Sequence, residues 1–237
     1  TGWRGEMRYG LLNDLRILDD STYPLMVQQF AALGLDKDAS LPEQLPPPRL
    51  VVDQAQAVQC RDKFALDAHR PLLALCPGAE FGGAKRWPAT YYAELARHYL
   101  DSGWQVALFG SANDQPVTAE IRTASGESDS CLDLAGKTTL AEAVDMLSLA
   151  TAVVSNDSGL MHIAAALSRP LVVVYGPTSP GFTPPLNTNN EVLVSDIDCA
   201  PCFQRECPLQ HHRCMRDTPA TQVAAKLDGL LTDTDED

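Results

Sequence analysis

Residues 152–175 carry the stretch that decides the fold. Ala152-Val153-Val154-Ser155 is a short, uniformly apolar run closed by a serine. Asn156-Asp157-Ser158-Gly159-Leu160-Met161-His162 opens a segment of helical spacing that lasts to Leu167. Leu171-Val172-Val173-Val174-Tyr175 is a second apolar run. Strands without polar alternation are buried on both faces. A helix of about ten residues between two of them predicts a parallel β-α-β unit.

The same alternation extends upstream. Pro71 to Cys76, after Arg70, reads as a short buried strand that ends at Pro77-Gly78, and Ala89 to Asp101 as a helix stopped by Gly103. Trp104 to Phe109 is the next strand, Gln115 to Ala124 a polar helix, Leu132 to Leu134 a strand, and Thr139 caps a helix running to Ala150. The expected class is therefore α/β, a parallel sheet covered on both faces. Before it, Leu25 to Leu33 suggests a helix closed by Gly34, and Pro46-Pro47-Pro48 a stiff linker, because proline is excluded from helix interiors and central strands.

In such sheets ligands bind beyond the C-terminal strand ends, which selects the turns after Cys76, Phe109, Leu134 and Ser155. In the last of these, Asp157 or Ser158 is a good N-cap and Gly159 admits a close backbone approach. The helix dipole draws an anion, and His162 lies one turn in on the side of Ser158. The same residues also fit a capped helix with a half-buried histidine. The turn after Cys76 is rich in glycine, with Gly78 and Ala79 at its start and Lys85-Arg86 before Pro88, placed as a first-turn proline. Lys85 suits a point contact to phosphate; a flexible solvated loop is the alternative. Asn113 and Asp114 offer polar groups to a ribose, although Asn-Asp turns are common without a ligand. Gly136-Lys137-Thr138 is not a Walker loop, since Cys131 stands where its first glycine belongs. Neither a G-x-G-x-x-G nor a G-x-S-x-G occurs, which weakens dehydrogenase and hydrolase readings.

The 237 residues carry 31 acids against 18 bases, a net charge of −13. A chain this acidic is not expected to bind nucleic acid, and any anionic ligand must meet a local cationic cluster. Five acids (Asp228, Asp233, Asp235, Glu236, Asp237) lie in the last ten residues. No apolar run is long enough to span a bilayer and no signal peptide is visible. The scattered Cys60, Cys76 and Cys131 suit a reducing cytoplasm. Cys199, Cys202, Cys207 and Cys214, with His211 and His212 among them, fit either a structural zinc site or reduced thiols in a compact loop. Arg205, Arg213 and Arg216 make this stretch locally basic.

Several separate elements, in order, resemble glycosyltransferase family 9. They are Thr1-Gly2-Trp3-Arg4-Gly5-Glu6-Met7-Arg8-Tyr9-Gly10, Pro77-Gly78-Ala79-Glu80-Phe81-Gly82 with Lys85-Arg86-Trp87-Pro88, Ser155 to His162, Tyr175-Gly176-Pro177-Thr178, and the stretch from Cys199 to Cys214 with Phe203-Gln204-Arg205-Glu206 inside it. The resemblance implies a GT-B fold of two Rossmann-like domains. Residues 1–48 would be the last part of the acceptor-side domain plus linker, its earlier part missing from this chain, and 49–237 the domain that binds the ADP-sugar.

It further implies inverting transfer of L-glycero-D-manno-heptose from ADP-heptose to the first heptose of the lipopolysaccharide inner core in Gram-negative bacteria. Another core transferase of the family, such as heptosyltransferase I, and a non-catalytic nucleotide-binding fragment are the alternatives. The family's roles map onto Lys85 and His162 for the leaving diphosphate. Gly78, Ala79, Asn113, Thr138, Asp157, Ser158 and Gly159 complete the donor contacts. Arg4 and Arg8 are candidates for phosphates of the lipid A–core acceptor. The family's general base has no counterpart here. No cofactor or metal is implied, and the expected location is the cytoplasm, with peripheral contact at the inner membrane face.

Overall fold

A computed structural model describes residues 1–5, 7, 8 and 10–233; the acidic Asp235, Glu236 and Asp237 lie outside the described residues. Two compact units are present. Thr1–Pro47 with Ser179–Pro184 form one, and Pro48–Thr178 with Pro185–Asp237 the other.

In the first unit, β1 (Gly2–Trp3) pairs in parallel with β2 (Leu15–Arg16), and α1 (Met26–Leu33) follows. Arg16 ties the strand to the end of the helix. Its guanidinium donates to Asp14 at 2.7 Å and to the carbonyls of Ala32 and Leu35, both at 2.8 Å. Those carbonyls stand at the helix C-terminus, where backbone acceptors lack intrahelical donors, so the cation satisfies them.

The second unit is built from α2 (Gln54–Lys63), β3 (Leu72–Cys76), α3 (Ala89–Asp101), β4 (Gln105–Leu108), α4 (Gln115–Ala124), β5 (Cys131–Asp133), α5 (Leu140–Ser148), β6 (Ala152–Asn156), α6 (Gly159–Ala166), β7 (Leu171–Tyr175), β8 (Asn190–Val194), α7 (Arg213–Arg216) and α8 (Ala220–Asp233). The six strands are all parallel, in the order β5-β4-β3-β6-β7-β8. The chain winds outward from β3 to β5, returns to β6 beside β3, and winds outward again. β3 and β6 therefore flank the switch point of a doubly wound sheet, where the crevice beyond the strand ends opens.

Alternate residues feed two cores. Leu73, Leu75, Val106, Leu108, Val154, Val172 and Val174 face Tyr92, Leu95 and Tyr99 of α3, Ile121 of α4, and Val223 and Leu227 of α8. Leu72, Ala74, Cys76, Ala107, Val153, Val173 and Tyr175 face Met146 and Leu147 of α5 and Met161, Ala164 and Ala165 of α6. Each fully buried aliphatic side chain contributes about 1.5–3 kcal/mol, so the two faces, rather than helix propensity, hold the layers together.

Several elements escape the sequence pattern, α2, β8 and α8 among them. α2 buries only Ala57 and Cys60, residues too small to draw an apolar stripe. β8 is an edge strand with a mostly half-exposed pattern. α8 packs Val223 and Leu227 into the first core from within a stretch dominated by its acidic end. Several boundaries also shift by a residue or two, β4 for one covering Gln105–Leu108. β5 starts at Cys131, one residue early, and Pro88 occupies the N-cap of α3 rather than its first turn.

Thr139 caps α5 as expected. Its hydroxyl accepts the Glu142 N–H at 3.2 Å, and the Glu142 carboxylate accepts the Thr139 N–H at 2.8 Å. Lys63 of α2 pairs with the same carboxylate. This pair, followed by the Thr139 N–H, draws the Glu142 pKa down to about 2. Thr139→Ala is expected to cost about 1 kcal/mol in urea denaturation. The Glu142 contribution is present above its ordinary pKa of 4.5 and is lost as pH falls through about 2.

Candidate active site

Asn156, the last residue of β6, is fully buried, and its amide uses both ends. Nδ2 donates to the carbonyls of Pro77 at 2.8 Å and Gly78 at 3.4 Å. Oδ1 accepts the Trp87 N–H at 3.2 Å and the Tyr92 hydroxyl at 3.0 Å. One side chain thus fixes both ends of the glycine-rich segment 77–87. Trp87 is pinned further by its indole N–H to the Thr218 carbonyl at 2.8 Å, and its ring meets Tyr92 edge-on.

A buried carboxylate organises the neighbouring turns. Asp114 accepts the N–H and hydroxyl of Ser111, both at 2.9 Å, and Arg86 reaches it at 3.5 Å. A Cβ at Gly78 would stand 2.7 Å from this carboxylate, so any larger residue there would have to displace it. Asp114 is therefore spent inside the fold and not available to a ribose, whereas Asn113 beside it is exposed. Gly136, at φ +68, follows β5 and donates to the Gly110 carbonyl, which brings the turn bearing half-buried Thr138 against the turn after β4.

Lys85 and Asp157 meet at the switch point. The ammonium lies 2.7 Å from Asp157 Oδ2, with the two side chains 13% and 7% exposed. Thr178 donates its hydroxyl to the same oxygen at 2.7 Å. Removing two such charges from water costs about what their attraction returns. The pair is accordingly a positioning device more than a source of stability. The Asp157 carboxylate is turned to these partners and does not cap α6. Ser158 holds the N-cap position without a side-chain cap bond, its hydroxyl lying 3.2 Å from that of Ser155. The expected side-chain cap is thus absent. Gly159 is exposed at this helix start.

His162 is exposed on α6, yet neighbouring atoms withdraw enough water to hold its pKa below 6.5; the Asp157 carboxylate opposes this and the Lys85 ammonium adds to it. The structure therefore gathers Gly78, Ala79, Lys85, Asp157, Ser158, Gly159 and His162 around β3 and β6. Arg4 and Arg8 belong to the first unit, Arg4 exposed and Arg8 donating to the Trp3 carbonyl at 3.4 Å.

Two groups were not selected by sequence reasoning. Thr178 follows β7, and applying the strand-end rule to that strand would have found it. Asn156 gives no sequence signal, since its value lies in what it ties together. In the cysteine-rich stretch, backbone N–H groups of His212, Leu209, His211 and Gln210 lower the Cys207 thiol pKa against the opposing effect of burial. Cys199 Sγ lies 4.0 Å from His211 Nε2. Among the described residues, no three His, Cys, Asp or Glu side chains are grouped to hold a metal ion.

Asn156→Ala strands buried donors and acceptors at about 1–3 kcal/mol each. It is expected to lower stability by about 3 kcal/mol in chemical denaturation and to loosen segment 77–87 in amide exchange. By NMR the His162 ring should titrate below 6.5, moving up in Lys85→Ala and down in Asp157→Asn. Because the folded state binds this proton less tightly, the associated stability is complete above 6.5 and declines as pH falls below it.

Residues 1–213 match the family model for glycosyltransferase family 9 (heptosyltransferase). The chain is 45% identical over 238 residues to lipopolysaccharide heptosyltransferase 2 of Escherichia coli K12, covering 98% of this chain and 68% of that protein. It is 52% identical over 202 residues to lipooligosaccharide heptosyltransferase 2 of Haemophilus influenzae, covering 81% and 58%. The solved structure of E. coli ADP-heptose LPS heptosyltransferase II superimposes with a TM-score of 0.89 at 44% identity, covering 99% of this chain and 70% of that one. The chain has the α/β, GT-B fold class and belongs to glycosyltransferase family 9.

Proposed function

We propose that this chain is a heptosyltransferase that moves L-glycero-D-manno-heptose, with inversion, from ADP-heptose to the first heptose of the lipopolysaccharide inner core. Its similarity to proteins named heptosyltransferase 2 supports this over the alternative of another core transferase. The observation that carries the site assignment is Lys85, paired at the start of α6 with Asp157, whose carboxylate also accepts from Thr178, beside the switch point.

In an inverting displacement, a general base takes the proton of the acceptor hydroxyl as its oxygen attacks the anomeric carbon and the bond to ADP breaks, and negative charge grows on the departing diphosphate. The transition state is favoured by donors already in place where that charge develops. Lys85 has a third N–H beyond its two contacts to Asp157 at 2.7 and 3.4 Å. The first amides of α6 add a helix N-terminus, and Gly159 leaves them accessible. His162, neutral at pH 7, donates one N–H. These groups take the place that a divalent ion fills in other transferases, so the reaction needs no metal in this reading. Residues 49–237 supply the donor side, and residues 1–48, with Arg4 and Arg8, belong to the side of the lipid A–core acceptor. No helix among the described residues is long and apolar enough to cross a membrane. With a net charge of −13, contact with the cytoplasmic face of the inner membrane would be peripheral and local.

Calorimetric titration with ADP and UDP tests the assignment. ADP is expected to bind in preference to UDP, with Lys85→Ala weakening it about ten- to a hundredfold, the range of a lost charge-assisted hydrogen bond. His162→Ala should weaken it less, and a chelator should leave binding unchanged. Equal binding of both nucleotides, or an unaffected Lys85→Ala variant, would refute it.

A further inference from the structure

Arg205 lies in segment 195–212, which forms neither helix nor strand, yet its backbone is held in place. Its carbonyl accepts the Ala84 N–H at 3.0 Å, and the Glu206 carboxylate accepts the Gly83 N–H at 3.2 Å. The Phe203 N–H donates to the Pro177 carbonyl at 2.7 Å, next to Thr178. A Cβ at Gly82 would overlap the Arg205 carbonyl, so this approach depends on glycine. The loop is thus clipped onto the 3-10 turn Gly83–Lys85, the same turn that carries Lys85.

The guanidinium carbon of Arg205 is 5.3 Å from the centroid of Phe81, and the Lys85 ammonium is 5.0 Å from the same ring. Two cations share one aromatic platform in a strongly acidic chain. Their partners differ. Lys85 is balanced by Asp157, whereas the Arg205 guanidinium has neither a carboxylate nor a hydrogen-bond acceptor among the described residues. Arg86, the other base nearby, is drawn to buried Asp114. With Lys85 and Asp157 cancelling and His162 neutral, the assigned donor site carries no net positive charge. A diphosphate arriving there, and gaining charge as it leaves, needs an unspent cation. Arginine offers five donors in a planar fork suited to phosphate oxygens and keeps them when its face rests on a ring.

We propose that Arg205, seated on Phe81 beside Lys85, is a second diphosphate-binding cation of the donor site. This rests on the donor-site reading above. The cysteine-rich loop is then the carrier that delivers it, and the glycines at 82 and 83 are the seat of that carrier.

The test is calorimetric titration of the full chain with ADP and with adenosine, comparing wild type, Arg205→Ala, Arg205→Lys and Lys85→Ala, with circular dichroism confirming the fold of each. Arg205→Ala is expected to weaken ADP about tenfold, the scale of one charge-assisted contact, and to leave adenosine unchanged. Arg205→Lys should recover part of the loss. Unchanged ADP binding in Arg205→Ala, with Lys85→Ala still impaired, would overturn this proposal while leaving the donor site intact. Equal losses for ADP and adenosine would also overturn it, by marking a structural role. Wild-type protein that binds ADP no better than adenosine would instead remove the donor-site reading itself.

Discussion

The buried amide of Asn156 is the constraint on which the site depends. It stands at the end of a central strand where water cannot reach, and its donors and acceptor are matched to carbonyls and N–H groups of one neighbouring segment. Backbone groups in an irregular turn have no ladder to satisfy them, and each left unpaired in the interior costs about 1–3 kcal/mol. One side chain settles several of these at once. The turn after β3 therefore has a defined path, and α3 begins where that path ends. Lys85 and Phe81 lie on the tethered segment, and Asp157 is the next residue after the tether. The geometry of the charged pair follows from a neutral hydrogen-bond network beneath it.

Charge is managed locally. The chain as a whole repels anions, so recognition of a diphosphate has to be concentrated in a few groups held close together. Lys85 is held by a carboxylate that in turn accepts from Thr178, an arrangement that fixes its position at the expense of its net charge. The helix start of α6 is left without a side-chain cap, unlike α5, whose cap is fully reciprocal. Capping satisfies backbone donors permanently, whereas a ligand site needs them available.

Close backbone approach is the second device. Gly78 yields space to the Asp114 carboxylate, and Gly82 yields it to the Arg205 carbonyl. In both places a methyl group would push apart segments distant in sequence. Glycine at these positions reports packing between loops more than flexibility within one. This is why a glycine-rich turn can be rigid in the folded protein, and why the loop bearing the cysteines holds its place without regular structure.

The sequence by itself determined the layer architecture. Uniformly apolar runs of about five residues, separated by helices, have no other stable arrangement than a parallel sheet covered on both faces, and the strand-end rule then located Lys85, Asp157 and His162. It also specified the α5 cap, because a capping box is a local interaction between residues three apart. Elements whose burial rests on small or sparse apolar residues, such as α2 with Ala57 and Cys60, were not legible, since periodicity requires side chains large enough to mark a face. Only the tertiary structure decided that Asp157 turns to Lys85 and Thr178 instead of capping its helix, that Asp114 points into the fold, and that Arg205 comes to rest on Phe81 more than a hundred residues away. Each of these joins groups whose meeting is fixed by strand order and loop path, and a pattern read along the chain holds no information about distances across it.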